Sequence, residues 1–115
     1  MATNIRQLIT EKSTLLRDID KLGPHKAAEE LVELASLLSS LNAEIVEKQF
    51  ILNQKKVELL AEAKSVAKAK LLAEGLPEWH EWFARIQQRD ALEELIRSVK
   101  YFLRASSDEQ REFTR

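Results

Sequence analysis

The chain has 115 residues and a formal net charge of −1, with 44% hydrophobic and 32% charged residues, no cysteine, two glycines and two prolines. The near-neutral charge argues against a protein that coats nucleic acid through its overall charge, and the lack of cysteine excludes disulfides, thiolate chemistry and cysteine-based metal sites. A composition dominated by Ala, Leu, Glu, Lys and Arg is typical of long helices, so we predict an all-α fold.

A first helix is predicted over residues 4–22, where apolar residues recur at three- and four-residue steps. Thr3 or Asn4 can cap its start, because a short side-chain oxygen accepts hydrogen bonds from the free N–H groups of the first helical turn. Gly23 suits the position after a helix, and Pro24 suits the first position of the next one. So short a joint should fold the first helix back antiparallel to the second.

The central element of the prediction is a helix over residues 24–74. An apolar residue stands at every seventh position, which is the period of a helix that packs against other helices. These positions are Leu31, Leu38, Ile45, Leu52, Leu59 and Val66. About 51 residues at about 1.5 Å each give a rod of roughly 75 Å. Its weakest point lies at Ser39, Ser40 and Asn42, where a kink would be expected first.

A third helix is predicted over residues 77–105, because Gly75 and the proline after it repeat the earlier stop signal. Trp79 and Trp82 lie in its first two turns. If this hairpin is antiparallel, they face the alanine-rich end of the central helix, and large side chains against small ones form a consistent pairing. Residues 106–115 are polar and predict either a short extra helical turn or a frayed C-terminal tail.

The lengths of the three helices predict their arrangement. The first and third helices together nearly match the central one, which predicts an elongated, coiled-coil-like antiparallel arrangement of a short, a long and a medium helix in one domain over residues 1–105. A second apolar stripe on the central helix lies beside the seven-residue repeat, and exposing it to water is unfavourable by about 25 cal/mol per Å². We therefore expect a homodimer or higher oligomer that bundles helices of two chains. The predicted self-association or partner contacts are Phe50, Val57, Leu60 and Leu71.

Catalytic and metal-binding motifs are not apparent in the sequence. His25 and His80 are far apart, and neither has a partner at the spacing of a helical metal site. The serines within the predicted helices lack a Gly-x-Ser-x-Gly motif, and two distant glycines do not form a phosphate-binding loop. We therefore expect a protein that is not an enzyme and that holds no cofactor and no metal.

Two features of the sequence bear on where in the cell the protein is expected. No apolar stretch approaches the roughly 20 residues that span a bilayer, and the first ten residues lack the basic and apolar segments of a secretory signal. We expect a cytoplasmic protein that does not associate with membranes.

Basic side chains on the central and third helices suggest an alternative function. If these helices are antiparallel neighbours, some of the basic residues can form a shared strip for phosphates. The candidate nucleic-acid contacts are Lys64, Lys68, Arg97, Lys100 and Arg104. Acidic residues interrupt the same surface, and the aromatic residues fall at core spacing rather than alternating with basic positions as in a stacking platform for single strands.

The run AKSVAKAKLLAEGLPEWHEWFARIQQRDALEELIRSVKYFLRASSDEQREF combines an alanine-rich stretch, a glycine and proline break, and a helix that ends in basic, aromatic and leucine residues. This pattern resembles small helical proteins encoded by tailed bacteriophages, over roughly residues 42–105. The residues that carry the resemblance are Ala63, Ala67, Ala69, Gly75, Arg89, Ala91, Leu92, Leu95, Ile96 and Leu103. It implies a phage or prophage accessory protein in the host cytoplasm, acting in DNA metabolism or in particle assembly, and it implies no particular functional residues.

Together, the residues favour a non-enzymatic, oligomeric helical interaction protein that serves as an adaptor, scaffold or regulator. The alternative is a nucleic-acid-binding accessory factor of phage DNA metabolism.

Overall fold

The computed structural model describes residues 4–113, with side chains described for residues 4–109, and within this part it contains helices and no strand. The helices are α1 (Ile5–Leu16), α2 (Ile19–Leu22), α3 (Pro24–Glu62), α4 (Val66–Glu74) and α5 (Pro77–Phe113). The all-α prediction is confirmed. The elongated three-helix arrangement and the pairing with a second chain stay predictions.

The helix predicted over residues 4–22 is interrupted at Arg17 and Asp18, which is a correction. The hydroxyls of Thr10 and Thr14 each donate to the backbone carbonyl four residues earlier, at 3.0 Å. Such side-chain bonds compete with the regular helical ladder and bend helices. Asp18 then leaves the helical region (φ −109°, ψ 47°) before α2 begins.

The helix predicted over residues 24–74 is also wrong as one continuous element, because α3 ends at Glu62 and residues 63–65 form a bend. Ser65 is extended (φ −148°, ψ 152°), and its hydroxyl accepts a hydrogen bond from the backbone N–H of Lys68 at 3.2 Å. This is an N-cap, which starts a new helix in place of continuing the old one. As a result Val66 is exposed and does not extend the buried repeat of α3. The expected weak point at residues 39–42 is regular helix.

The third helix runs further than predicted. Helix α5 continues to Phe113, so its predicted end at residue 105 is wrong, as is the frayed tail for residues 106–113. The prediction for residues 114 and 115 lies outside the described residues. Asn4 caps α1 by accepting from the backbone N–H of Gln7 at 3.3 Å, as the sequence allowed.

The described chain divides into two compact units. Unit 1 contains the described residues up to Ser39 and those from Gln88 onward, and unit 2 is Ser40–Gln87. Helices α3 and α5 each contribute residues to both units.

Unit 1 has a core of buried aliphatic side chains, which are Leu16, Ala27, Leu34, Leu92 and Val99. Burying each of the larger ones is worth about 1.5–3 kcal/mol relative to exposing it. The ammonium group of Lys12 on α1 contacts the carboxylates of Glu30 and Glu33 on α3, which places these helices side by side in this unit.

Unit 2 is built from the second part of α3, all of α4 and the start of α5. Its buried side chains are Leu41, Ile45, Leu52, Ala69 and Ala73. Glu44 on α3 pairs with Arg85 on α5 at 2.6 Å, and Lys48 on α3 pairs with Glu81 on α5 at 3.2 Å. A step of four residues forward on α3 is matched by a step of four back on α5, so these two segments are antiparallel.

Candidate interaction site

A stripe of exposed apolar side chains follows one face of α3 in unit 2. The α3 stripe consists of Val46 (70% exposed), Phe50 (64%), Val57 (68%) and Leu60 (50%). Steps of four, seven and three residues place side chains on the same helix face. Leu41, Ile45 and Leu52 of the same helix are buried, so the stripe is a second apolar face that the chain's own packing leaves exposed.

Helix α4 packs with its small residues inward and its large ones outward. Ala69 and Ala73 are buried, while Leu71 and Leu72 are exposed. The small residues of α4 face inward because the large indole rings of α5 lie opposite them and leave room only for small side chains. Leu71, a predicted contact residue, is therefore exposed on α4 and does not belong to the α3 stripe.

A pocket opens where α3, α4 and α5 meet in unit 2, with a cavity volume of about 370 Å³. Its apolar lining consists of Leu60, Val66, Ala69, Ala73, Trp79 and Trp82, and its charged lining consists of Lys56, Lys70 and Glu74. The volume and the mainly apolar walls fall in the range of small-molecule sites. Because Leu60 is also the last residue of the α3 stripe, the pocket adjoins that stripe.

The aromatic rings of the pocket hold one another in place. The Trp79 ring stacks on Phe83, with centroids 4.9 Å apart and an interplanar angle of 12°, and it lies 6.4 Å from the Trp82 ring at 56°. The indole N–H of Trp82 is buried and has no acceptor among the described residues. A buried donor without an acceptor costs about 1–3 kcal/mol.

The charged side chains that line the pocket do not balance one another. Within the described part of the chain, neither Lys56 nor Lys70 has an ion-pair partner, and Glu74 has none either. Two ammonium groups and one carboxylate leave one net positive charge at the edge of an apolar cavity.

Sequence reasoning did not find this pocket. The pairing of Trp79 and Trp82 with an alanine-rich helix was expected, and these residues do line one cavity with Ala69 and Ala73. The cavity itself depends on the bend at residues 63–65, which a continuous helix would not have. The only local signal was Ser65, whose hydroxyl favours a helix start.

Three of the predicted nucleic-acid contacts lie together on α5 in unit 1. Arg97, Lys100 and Arg104 line a shallow surface depression with Tyr101, which is 76% exposed, and we call these four residues the α5 basic cluster. Glu94 lines the same depression, and its carboxylate lies 3.1 Å from the Arg97 guanidinium, so it neutralises part of the cluster.

The other two predicted nucleic-acid contacts belong to unit 2. Lys64 lies in the bend before α4, and Lys68 lies in the first turn of α4. A single strip of all five residues stays a prediction.

The ion cluster of unit 1 is the other concentration of charge. Lys12 Nζ lies 2.5 Å from Glu30 Oε2, and it also contacts Glu33. Burial alone would lower the pKa of Lys12, but the hydrogen bonds and charges of Glu30 and Glu33 outweigh it and raise the pKa above its ordinary 10.5. The hydrogen bond from Lys12, followed by its charge, lowers the pKa of Glu33. The cluster joins α1 to α3, which indicates a structural role.

Other chemistry is sparse in the described part of the chain. It contains no group of three or more His, Asp and Glu side chains placed to hold a metal ion. His25 is exposed beside Glu29, at 3.2 Å, and the His80 ring lies edge-on to Trp79 with centroids 5.2 Å apart. Among the same residues, no helix is both long and apolar enough to cross a membrane.

No protein-family model, no curated protein and no solved structure matches this chain.

Proposed function

We propose that this chain is a non-enzymatic interaction protein that self-associates through the α3 stripe and serves as an adaptor, scaffold or regulator. The observation that carries the proposal is the exposure of four large apolar side chains, half or more of each, along one face of one helix. Exposed apolar surface along one helix face often marks a protein contact in soluble proteins.

The spacing of the stripe suits another helix as the partner. Val46, Phe50, Asn53, Val57 and Leu60 alternate in steps of four and three residues, which is the a/d pattern of a coiled-coil seam. A second copy presents the same pattern, and an isologous pair would cover both stripes at once. Self-association therefore explains the stripe with no additional component.

Asn53 supports one orientation of the two copies. In a parallel, in-register pair, its amide meets the same amide of the second copy, and the two can exchange hydrogen bonds. In an antiparallel pair, the a and d layers alternate, so Asn53 would face Phe50 or Val57 and lose its partner. An unsatisfied buried amide costs about 1–3 kcal/mol, which favours the parallel pair.

Light scattering after size exclusion at micromolar concentration tests the proposal. We expect a mass of two or more chains for the wild type and a lower mass for Phe50→Glu, because a carboxylate inside an apolar seam is unfavourable. Tyr101→Glu is the matched control, since it places the same charge at an equally exposed aromatic position in unit 1. A wild-type mass of one chain, or equal masses for wild type and Phe50→Glu, would contradict the proposal.

Nucleic-acid binding is the second candidate function, and the α5 basic cluster favours it. Tyr101 is exposed next to Lys100, with Arg97 and Arg104 within about one helical turn on either side, so a base can stack on the ring while phosphates meet the cations. We expect a Lys100→Gln/Arg104→Gln variant to weaken any salt-sensitive mobility shift with single-stranded DNA or RNA. An unchanged shift would rule out this cluster. An origin in a tailed bacteriophage or prophage and a place in the host cytoplasm stay predictions.

A further inference from the structure

We infer that the pocket of unit 2 binds a small amphipathic anion, an apolar chain that carries one carboxylate. This inference goes beyond the proposed self-association, and Leu60 is the one residue that the pocket lining shares with the α3 stripe. The features that carry it are the apolar lining of the cavity and the net positive charge of its charged lining.

The apolar part of the ligand follows from the walls of the cavity. Six of its lining side chains are apolar, and Ala69 and Ala73 form a buried floor on α4 opposite the two indole rings. The cavity is present without a ligand, and the Trp79 ring stacks on Phe83 of the same helix. A preformed apolar cavity of about 370 Å³ favours a compact apolar chain.

The charge of the ligand follows from the charged lining. Lys56 on α3 and Lys70 on α4 line the cavity from two helices, and neither has an ion-pair partner among the described residues. With Glu74 counted, the lining carries one net positive charge, which a ligand with a single negative charge would neutralise.

Intrinsic fluorescence offers a direct assay, because both tryptophans of the chain line this cavity. We expect sodium decanoate, below its micelle concentration, to change tryptophan emission saturably. Decyltrimethylammonium has a chain of the same length and the opposite charge, and we expect it to bind about tenfold or more weakly, a factor in the range of one charge-assisted hydrogen bond.

Two variants locate the binding. Lys56→Gln/Lys70→Gln should weaken decanoate binding about tenfold and reduce the discrimination between the two surfactants. Val66→Glu should abolish binding, because it places a carboxylate in the lining. Val66 is the exposed first residue of α4, where an acidic side chain favours the helix dipole, so the fold should tolerate this change. Val32→Glu, at an equally exposed valine in unit 1, is the matched control.

Equal binding of the two surfactants, no saturable change, or unchanged decanoate affinity in Val66→Glu would overturn the inference. A change in tryptophan emission that depends on protein concentration and not on decanoate would indicate that a second copy occupies the cavity. That result would also overturn the inference. Repeating the titration with Phe50→Glu separates this inference from the proposed function, since decanoate binding should persist in that variant whether or not the chain self-associates.

Discussion

Lys12 Nζ lies 2.5 Å from Glu30 Oε2, and the Glu30 side chain is only 7% exposed. This pair joins α1 to α3 in unit 1, with Glu33 as an additional acceptor for the same ammonium group. A carboxylate buried to this extent is tolerated only with a partner, because removing a charge from water is costly. Lys12 is therefore a structural residue of unit 1.

Replacing Lys12 tests this role. We expect Lys12→Met to lower the free energy of unfolding by about 3 kcal/mol, because the Glu30 carboxylate would stay buried without its partner. Lys26→Met is the matched control, since Lys26 pairs with Glu29 at an exposed site, at 3.5 Å. This substitution should lower the free energy of unfolding by less than about 1 kcal/mol. Urea unfolding followed by circular dichroism measures both. A Lys12→Met/Glu30→Leu variant should recover much of the loss, and equal effects of the two single lysine substitutions would contradict the role.

The same cluster predicts how stability depends on pH. The pKa of Glu33 is lowered in the folded chain by the hydrogen bond and charge of Lys12, so its contribution is complete above the ordinary value of 4.5 and is lost as the pH falls through the folded pKa. The pKa of Lys12 is raised, so its contribution is complete below 10.5 and is lost as the pH rises through its folded pKa. The stability difference between wild type and Lys12→Met should therefore be largest near neutral pH and smaller in acid and in strong alkali. Urea unfolding at several pH values measures this difference, and a constant difference across the range would contradict the prediction.

The sequence predicts helix identity better than helix continuity. Asn4 caps α1 and Pro24 and Pro77 begin α3 and α5, because capping oxygens and proline act locally. The seven-residue repeat extends through Val66 although α3 ends at Glu62, since the repeat reports which face is apolar and does not report where the backbone bends. At the bend, the Ser65 hydroxyl accepts from the backbone N–H of Lys68 and caps α4, which favours a new helix start over continuation of α3.

For the candidate sites, too, the sequence predicts which helix face is apolar but does not predict how the helices are arranged in space. The spacing of Phe50, Val57 and Leu60 predicts one shared helix face, and the structure places them exposed on one face, while their role as an interface stays a prediction. The pocket was missed because it is a property of three segments in space. It exists only once α4 has left the axis of α3 at the bend, and no periodicity in the sequence describes that geometry.

Replacement by alanine should affect stability differently at the two glycines. Gly23 has φ 86° and ψ 158°, a region that is nearly restricted to glycine, although a Cβ there would meet no atom within 4 Å. Gly23→Ala should therefore lower the free energy of unfolding by about 2 kcal/mol through backbone strain alone. Gly75 has a helical φ of −85°, and its added Cβ would only reach ordinary contact, 3.5 Å from the Leu72 carbonyl oxygen. Gly75→Ala should leave stability unchanged or raise it by about 0.5 kcal/mol. Thermal and urea unfolding distinguish the pair, and equal effects would contradict the assignment of strain to Gly23.

The orientation of the proposed pair is testable by cross-linking, because the chain contains no native cysteine. In a parallel, in-register pair set by Asn53, each seam residue meets the same residue of the second copy. Val46→Cys and Val57→Cys should then each form covalent dimers alone with a short thiol-reactive cross-linker.

In an antiparallel pair that sets Phe50 opposite Asn53, Val46 lies opposite Val57, so only a mixture of the two variants would cross-link. Glu47→Cys, placed next to the seam on the same helix, is the control for random collision. Cross-linking of the mixture without cross-linking of either variant alone would rule out the parallel pair. Adding Asn53→Leu should strengthen self-association and allow both patterns at once, because an apolar residue at this layer no longer distinguishes between the two orientations.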